Sequence, residues 1–182
     1  MWVGLFKIKV MVSYNSVLDI EFDDDNIVEP VTLTEAKDFC KVDINTDDSL
    51  ISALITAARQ DCEAHTGVGF VVHNIVAVLN NCNGEIYIPY GPLVVINQVM
   101  DADGNVLVLD TDYELSGNAF KRLLKPRENN ITVDYQAGYA DLPLTLKTAL
   151  LNQIYWLYDN RSQSVEKISP IAKSLLNPFR RV

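Results

Sequence analysis

Two histidines and three cysteines in 182 residues leave few ligands for a metal and few bases to activate a nucleophile. Cys40, Cys62 and Cys82 are odd in number and lack C-x-x-C spacing, so neither a disulfide framework nor a zinc site is indicated, and buried free thiols are expected. No Gly-rich phosphate loop and no G-x-S-x-G elbow occurs. Neither His65 nor His73 stands in a motif that would complete a triad, which weighs against hydrolytic or transfer catalysis. No uncharged apolar run reaches the roughly 18 residues needed to span a bilayer. Clustered cations are missing too, and the net charge is −9, so the chain is a poor candidate for gripping phosphate backbones. The same acidity suits a protein that lets DNA pass without adhering to it.

The opening residues 1–12 are apolar, but Lys7 and Lys9 interrupt them and no small-residue cleavage site follows. We therefore expect no signal peptide and a cytoplasmic protein. Phe6, Ile8, Val10 and Val12 alternate with polar residues in a strand-like way, without an obvious hairpin partner, so this stretch could pair with another copy; Met11 is an alternative start. Residues 21–26, with Asp23, Asp24 and Asp25, read as a solvated acidic linker, because three consecutive carboxylates lack the alternate spacing of a calcium loop.

What the sequence does contain is globular: 48% hydrophobic and 21% charged residues, in a length that suits one domain or a core with a sizeable insertion. Thr32 and Glu35 form a capping box for a short helix from Leu33 to about Lys41. A second helix is expected from Asp48 to about Thr66. Leu50, Ile51, Leu54, Ile55, Ala57, Ala58 and Cys62 recur along it at helical spacing, and Gly67 sits where a left-handed C-cap belongs. Asp47 and Asp48 are explained as helix-start residues, and His65 as a dipole-complementing residue of the last turn rather than a ligand.

From residue 69 the period becomes that of strands, expected at 70–79, 85–88, 94–100, 106–109, 113–116 and 131–135, with an antiparallel meander as the natural outcome. Asp101-Ala-Asp103-Gly-Asn105 superficially resembles a calcium loop, but Gly104 precedes Asn105, and Asp112 stands where a bidentate Glu is needed; a hairpin turn is the better reading. His73 lies in a strand with no second ligand at metal-binding spacing. Leu142-Pro143 opens a last regular helix whose Leu146, Ala149, Leu150, Gln153, Ile154, Leu157 and Tyr158 form one stripe, running to about Arg161. A polar link then leads to an apolar tail with Ile168, Ile171, Leu175, Leu176, Pro178 and Phe179, a pattern that suggests docking on a partner.

The fold class expected is α+β: a small helical bundle formed by N- and C-terminal helices, with an antiparallel β-rich insertion between them. The chain divides as an N-terminal extension (1–30), the first half of the helical core (31–68), the β-rich insertion (69–137), the second half of the core (138–163) and a C-terminal tail (164–182).

Several segments in order, Leu33-Thr-Glu-Ala-Lys37, Val42-Asp43, Asp47-Asp48-Ser-Leu-Ile51, His65-Thr-Gly67, Ile88-Pro89-Tyr-Gly-Pro-Leu93, Val133-Asp-Tyr-Gln-Ala-Gly-Tyr139 and Leu175-Leu176-Asn-Pro-Phe-Arg180, resemble tailed-phage head–tail connector proteins of the gp6-like and gp8-like groups. The resemblance runs from about Val28 to Arg180. It implies a non-enzymatic adaptor without cofactor or metal that forms a ring with copies of itself, dodecameric in the mature particle, beneath the portal. Such a ring would extend the DNA channel, with no sequence-specific DNA binding and no membrane, and meet a neck or tail-completion protein below. The expected location is the virion neck, reached from the host cytoplasm. Leu175, Leu176, Pro178, Phe179 and Arg180 are the implied portal-docking residues, although the same residues could pack on their own helices. An acidic lining of the channel is expected. The competing readings are another neck component, such as a stopper or tail-completion protein, and a small acidic enzyme.

Overall fold

The computed structural model describes residues 17–23, 27–80, 85–124, 130–161 and 167–181. The strand-like opening, Met11, Cys82 and most of the turns read at 80–84 and 128–130 lie outside the described residues. The chain divides into two compact units, one made of Val28–Val71 with Ala140–Arg181, the other of Val72–Tyr139 with the N-terminal strand.

The helical unit contains α1 (Leu33–Cys40), α2 (Asp48–Thr66), α3 (Leu144–Asp159) and α4 (Pro170–Leu176), followed by one turn of 3-10 helix, Asn177–Phe179. Local chemistry sets its boundaries. The Thr32 hydroxyl oxygen accepts from the Glu35 N–H at 3.2 Å while Glu35 Oε2 accepts from the Thr32 N–H at 2.9 Å, so two otherwise unpaired donors at the start of α1 are satisfied. Gly67 ends α2 at φ 68°, a conformation that costs glycine little, and its N–H donates to the Glu63 carbonyl. Asp47 precedes α2 without making a side-chain cap bond.

The core of this unit draws on all four helices: Ala36 and Cys40, then Ile51, Ile55, Ala58 and Cys62, then Leu146, Ala149, Leu150 and Ile154, and finally Ala172 and Leu176. The two helical halves of the sequence thus bury a common apolar centre, as the α+β class requires. The buried stripe of α2 is narrower than its hydrophobic pattern, since Leu50 lies on the exposed side.

The β unit contains β1 (Val17–Asp23), β2 (His73–Asn80), β3 (Glu85–Tyr87), β4 (Leu93–Met100), β5 (Glu114–Ser116), β6 (Arg122–Leu124) and β7 (Asn130–Ala137). All strand pairings are antiparallel, but the order is not a meander: one sheet runs β1-β2-β7-β4 and a smaller one β3-β6-β5. The meander fails because β2 takes β7 as its partner, a pairing that sequence distance conceals. Glu21 lies in β1, so the acidic stretch is partly an edge strand rather than a linker. Residues 106–109 form only isolated bridges.

Alternation governs burial. His73, Ile75, Ala77 and Leu79 of β2 and Ile131, Val133, Tyr135 and Ala137 of β7 point inward, where Ile86, Leu123 and Tyr113 from the smaller sheet and its loops join them in one cluster. The Tyr135 hydroxyl donates to the Pro89 carbonyl at 3.1 Å, which satisfies the one polar atom that this ring carries inward.

Candidate interaction surfaces

Four polar groupings tie together parts of the helical unit that are distant in sequence. The Arg59 guanidinium, almost wholly buried, donates to Glu29 Oε2 at 2.9 Å and Glu63 Oε2 at 2.8 Å. Glu63 Oε1 in turn accepts from the Phe70 N–H at 2.7 Å, and Glu29 Oε1 accepts from the Thr56 hydroxyl at 2.8 Å. Lys147 of α3 donates to Glu35 Oε1 at 2.6 Å, and this bond, with the Thr32 N–H, holds the Glu35 carboxyl down at about 2 against its ordinary 4.5. The Tyr158 hydroxyl donates to Asp47 Oδ2 at 2.6 Å, and this bond raises the phenol.

The fourth grouping holds the tail. Gln153 is fully buried in α3; its amide N–H donates to the Lys167 carbonyl at 2.7 Å, and its amide oxygen accepts from the Ser169 N–H at 2.9 Å. Ser169 then caps α4, its hydroxyl oxygen accepting from the Ala172 N–H at 3.1 Å. Lys167 Nζ lies 2.9 Å from Asp61, His65 Nε2 lies 3.3 Å from Asn177 Oδ1, and the Arg181 N–H donates to the Thr66 carbonyl at 2.7 Å. Of the five residues read as a docking tail, Leu176 is fully buried against its own unit, Leu175 and Phe179 are half-buried, and Pro178 and Arg180 are exposed. Sequence reasoning placed Gln153 in an apolar stripe without seeing its role; a lone amide among leucines was the available signal. It missed Arg59 and Glu63, whose i, i+4 spacing beside a buried stripe was the clue.

The β unit presents an open face. Strand register lines up Glu21, Val76, Asp134 and Gln98 in one row, and Asp19, Val78, Thr132, Met100 and Val106 in the next. These side chains alternate with the buried ones, and β1, β2, β4 and β7 contain no Lys or Arg. Asn97 and Gln136 bond along this surface to Asp134 and Asn74, at 2.8 and 2.9 Å. Val106, bridged to Met100 and 56% exposed, extends it as an apolar group.

Among the described residues no three His, Cys, Asp or Glu side chains are grouped to hold a metal ion. Cys40 and Cys62 are buried thiols, both pushed up by burial and Cys62 further by Asp61 and Glu63, so neither is a ready nucleophile. His73 is buried and edge-on to Phe22 at 5.2 Å. Asp101 organises a turn, its Oδ1 accepting from the N–H groups of Asp103 and Asn105 at 2.9 and 2.8 Å, which agrees with the hairpin reading. No helix among the described residues is long and apolar enough to cross a membrane.

Residues 30–106 match the sequence model of the phage gp6-like head–tail connector proteins. No curated protein sequence matches the chain. In fold, the chain is similar to one in the neck of an empty gene transfer agent particle with C6 symmetry (TM-score 0.68, 17% identity, covering 88% of this chain and 95% of that one). A chain of the native gene transfer agent virion gives the same figures, TM-score 0.68 and 17% identity over 88% and 95%. A chain in the native neck with C12 symmetry gives a TM-score of 0.61 at 18% identity, over the same 88% and 95%. The resemblance read from the residues is therefore borne out in sequence over residues 30–106 and in fold over most of the chain.

Proposed function

We propose that this chain, a head–tail connector by the signature of residues 30–106 and by its fold, closes with copies of itself into a ring beneath a portal, extends the DNA channel and joins the head to the neck or tail. The observation that carries this reading is the coincidence of a connector sequence signature with a whole-chain likeness to a component of particle necks. The C6 and C12 symmetries of those necks suit a ring, dodecameric in the mature particle. A ring needs a heterologous interface, and two units of different surface chemistry supply unlike faces. Its role is structural rather than catalytic: DNA passes without base-specific contacts, along a predominantly acidic lining that gives phosphates no cationic grip. The ring acts in the virion neck after assembly in the host cytoplasm, with a neck or tail-completion protein below it.

The C-terminal tail is the portal contact in this reading. Leu176 serves as its anchor, being buried in the helical unit, and Leu175, Pro178, Phe179 and Arg180 form the outward surface. The test is binding to the cognate portal, followed by negative-stain imaging and native mass spectrometry. The wild-type chain should decorate portal rings at micromolar concentration, and Phe179→Ala with Arg180→Glu should weaken decoration at least roughly tenfold while the fold persists. Absence of any wild-type binding would refute the connector role; undiminished binding of the double variant would refute the tail assignment alone.

A further inference from the structure

The chain's charge is distributed unevenly, and the unevenness pairs two surfaces. Between Arg59 and Lys121 there is no Lys or Arg, and all four strands of the larger sheet are free of them. The open face of that sheet carries Asp19, Glu21 and Asp134, with Val76 between Glu21 and Asp134 in one register row and Val106, bridged to Met100, at the end of the next. The tail has the opposite character: residues 167–181 hold Lys167, Lys173, Arg180 and Arg181 and no acidic residue, in a protein of net charge −9. Ile171, 61% exposed, and the exposed Lys173 lie on opposite flanks of the outer face of α4, with the exposed Ser174 between them.

We propose that the open sheet face of one copy receives the outer face of α4 from the next copy, with Ile171 on one flank of the helix seated against Val76 and Lys173 on the other flank opposite Asp134. The inference rests on the ring reading and supplies its subunit contact. The two surfaces are unlike, so the contact is head-to-tail and repeats around a ring, the geometry that a closed heterologous assembly demands. An apolar centre with charges of opposite sign on the two sides gives both adhesion and register. It also leaves Pro178, Phe179 and Arg180, at the far end of the tail, for a different partner.

Charge reversal tests this directly. One chain carries Glu21→Lys and Asp134→Lys, at half-buried positions of the sheet face, the other Lys173→Glu and Ser174→Glu, at exposed positions of α4, with circular dichroism and melting temperature confirming that each is folded. Assembly is read by native mass spectrometry and sedimentation, alone and on portal rings. Each reversed chain alone should need at least roughly tenfold more protein to assemble than the wild type, because both of its surfaces now have the same sign. An equimolar mixture should recover assembly, as particles holding the two chains in equal number, since each reversed surface meets its complement on the other chain. Wild-type assembly should also weaken as salt is raised. Assembly of either reversed chain at the wild-type concentration, or no recovery in the mixture, overturns the contact while leaving the ring intact. A wild-type chain that assembles neither alone nor on portal overturns the ring and the contact together.

Discussion

Replacing Arg59 by Met should be among the most damaging single changes to the helical unit. The guanidinium is buried between Glu29 and Glu63, at 2.9 and 2.8 Å, so its removal leaves two carboxylates without their cation in a site from which water is largely excluded. Breaking a buried ion pair from one side costs about 3–5 kcal/mol, and because Glu29 keeps some access to solvent the lower end applies, about 3 kcal/mol. With a urea slope of about 1.5 kcal/mol per molar for a unit of this size, the midpoint should fall by about 2 M. The helical signal at 222 nm is the right probe, because the two units need not unfold together. The triple variant Glu29→Gln, Arg59→Met, Glu63→Gln is the discriminating control. It removes the stranded charges while keeping an amide oxygen for the Phe70 N–H, and should recover most of the loss. If the single variant shifts the midpoint by less than about 0.5 M, or the triple is worse than the single, the cluster is not held together as argued.

Glu35 sets an acid limit. Its carboxyl, held at about 2 by Lys147 and Thr32, contributes stability that is fully present above about 4.5 and disappears as pH falls through 2, so Glu35→Gln should be less stable than the wild type at pH 7 and converge with it near pH 2. The carboxylate is partly solvated, which keeps the difference to about 0.5–1 kcal/mol, readable in urea midpoints across that range. Gln153→Leu should free the tail without unfolding the helices, because the Lys167 carbonyl and the Ser169 N–H both lose their partner. Stranding such groups costs about 1–3 kcal/mol, so amide exchange at Ser169 and Ala172 should quicken by roughly 5- to 150-fold, and unchanged exchange would show that the clamp holds nothing.

How far these features could be read from the sequence follows from how local their causes are. The ends of α1 and α2 were legible because Thr32, Glu35 and Gly67 act within four residues of themselves. The strand at 106–109 was expected from a continuous apolar run, and the structure shows why only bridges form. The Asp112 carboxylate accepts the Val108 N–H at 2.8 Å, and Asp110 turns the chain at φ 64°, so local side-chain chemistry replaces a ladder. β1 was hidden because its Asp19 and Glu21 belong to the open face, which makes an amphipathic edge strand look like a charged link. The tail was only partly legible for lack of length: in the seven residues of α4 only Ala172 and Leu176 turn inward, one helical turn apart, too short a stripe to separate packing from docking.

The interruption of a helical core by a β unit needs its own physical account, because an unstructured excursion spanning residues 72–139 would cost about 2.5 kcal/mol more to close than a short turn. That cost does not fall on the helices. His73 pairs with Ala137 across β2 and β7, so the sheet itself brings the two ends of the excursion to neighbouring positions, and the Gly138 N–H donating to the Pro92 carbonyl at 2.8 Å fixes the exit. Closure is achieved within the β unit, by hydrogen bonds and core contacts that it would form in any case. The helical halves are meanwhile joined by bonds between residues more than a hundred positions apart, Glu35 with Lys147 and Asp47 with Tyr158, so neither half completes the core without the other. Asp19, Glu21 and Asp134 of the larger sheet take part in none of these bonds between the helical halves.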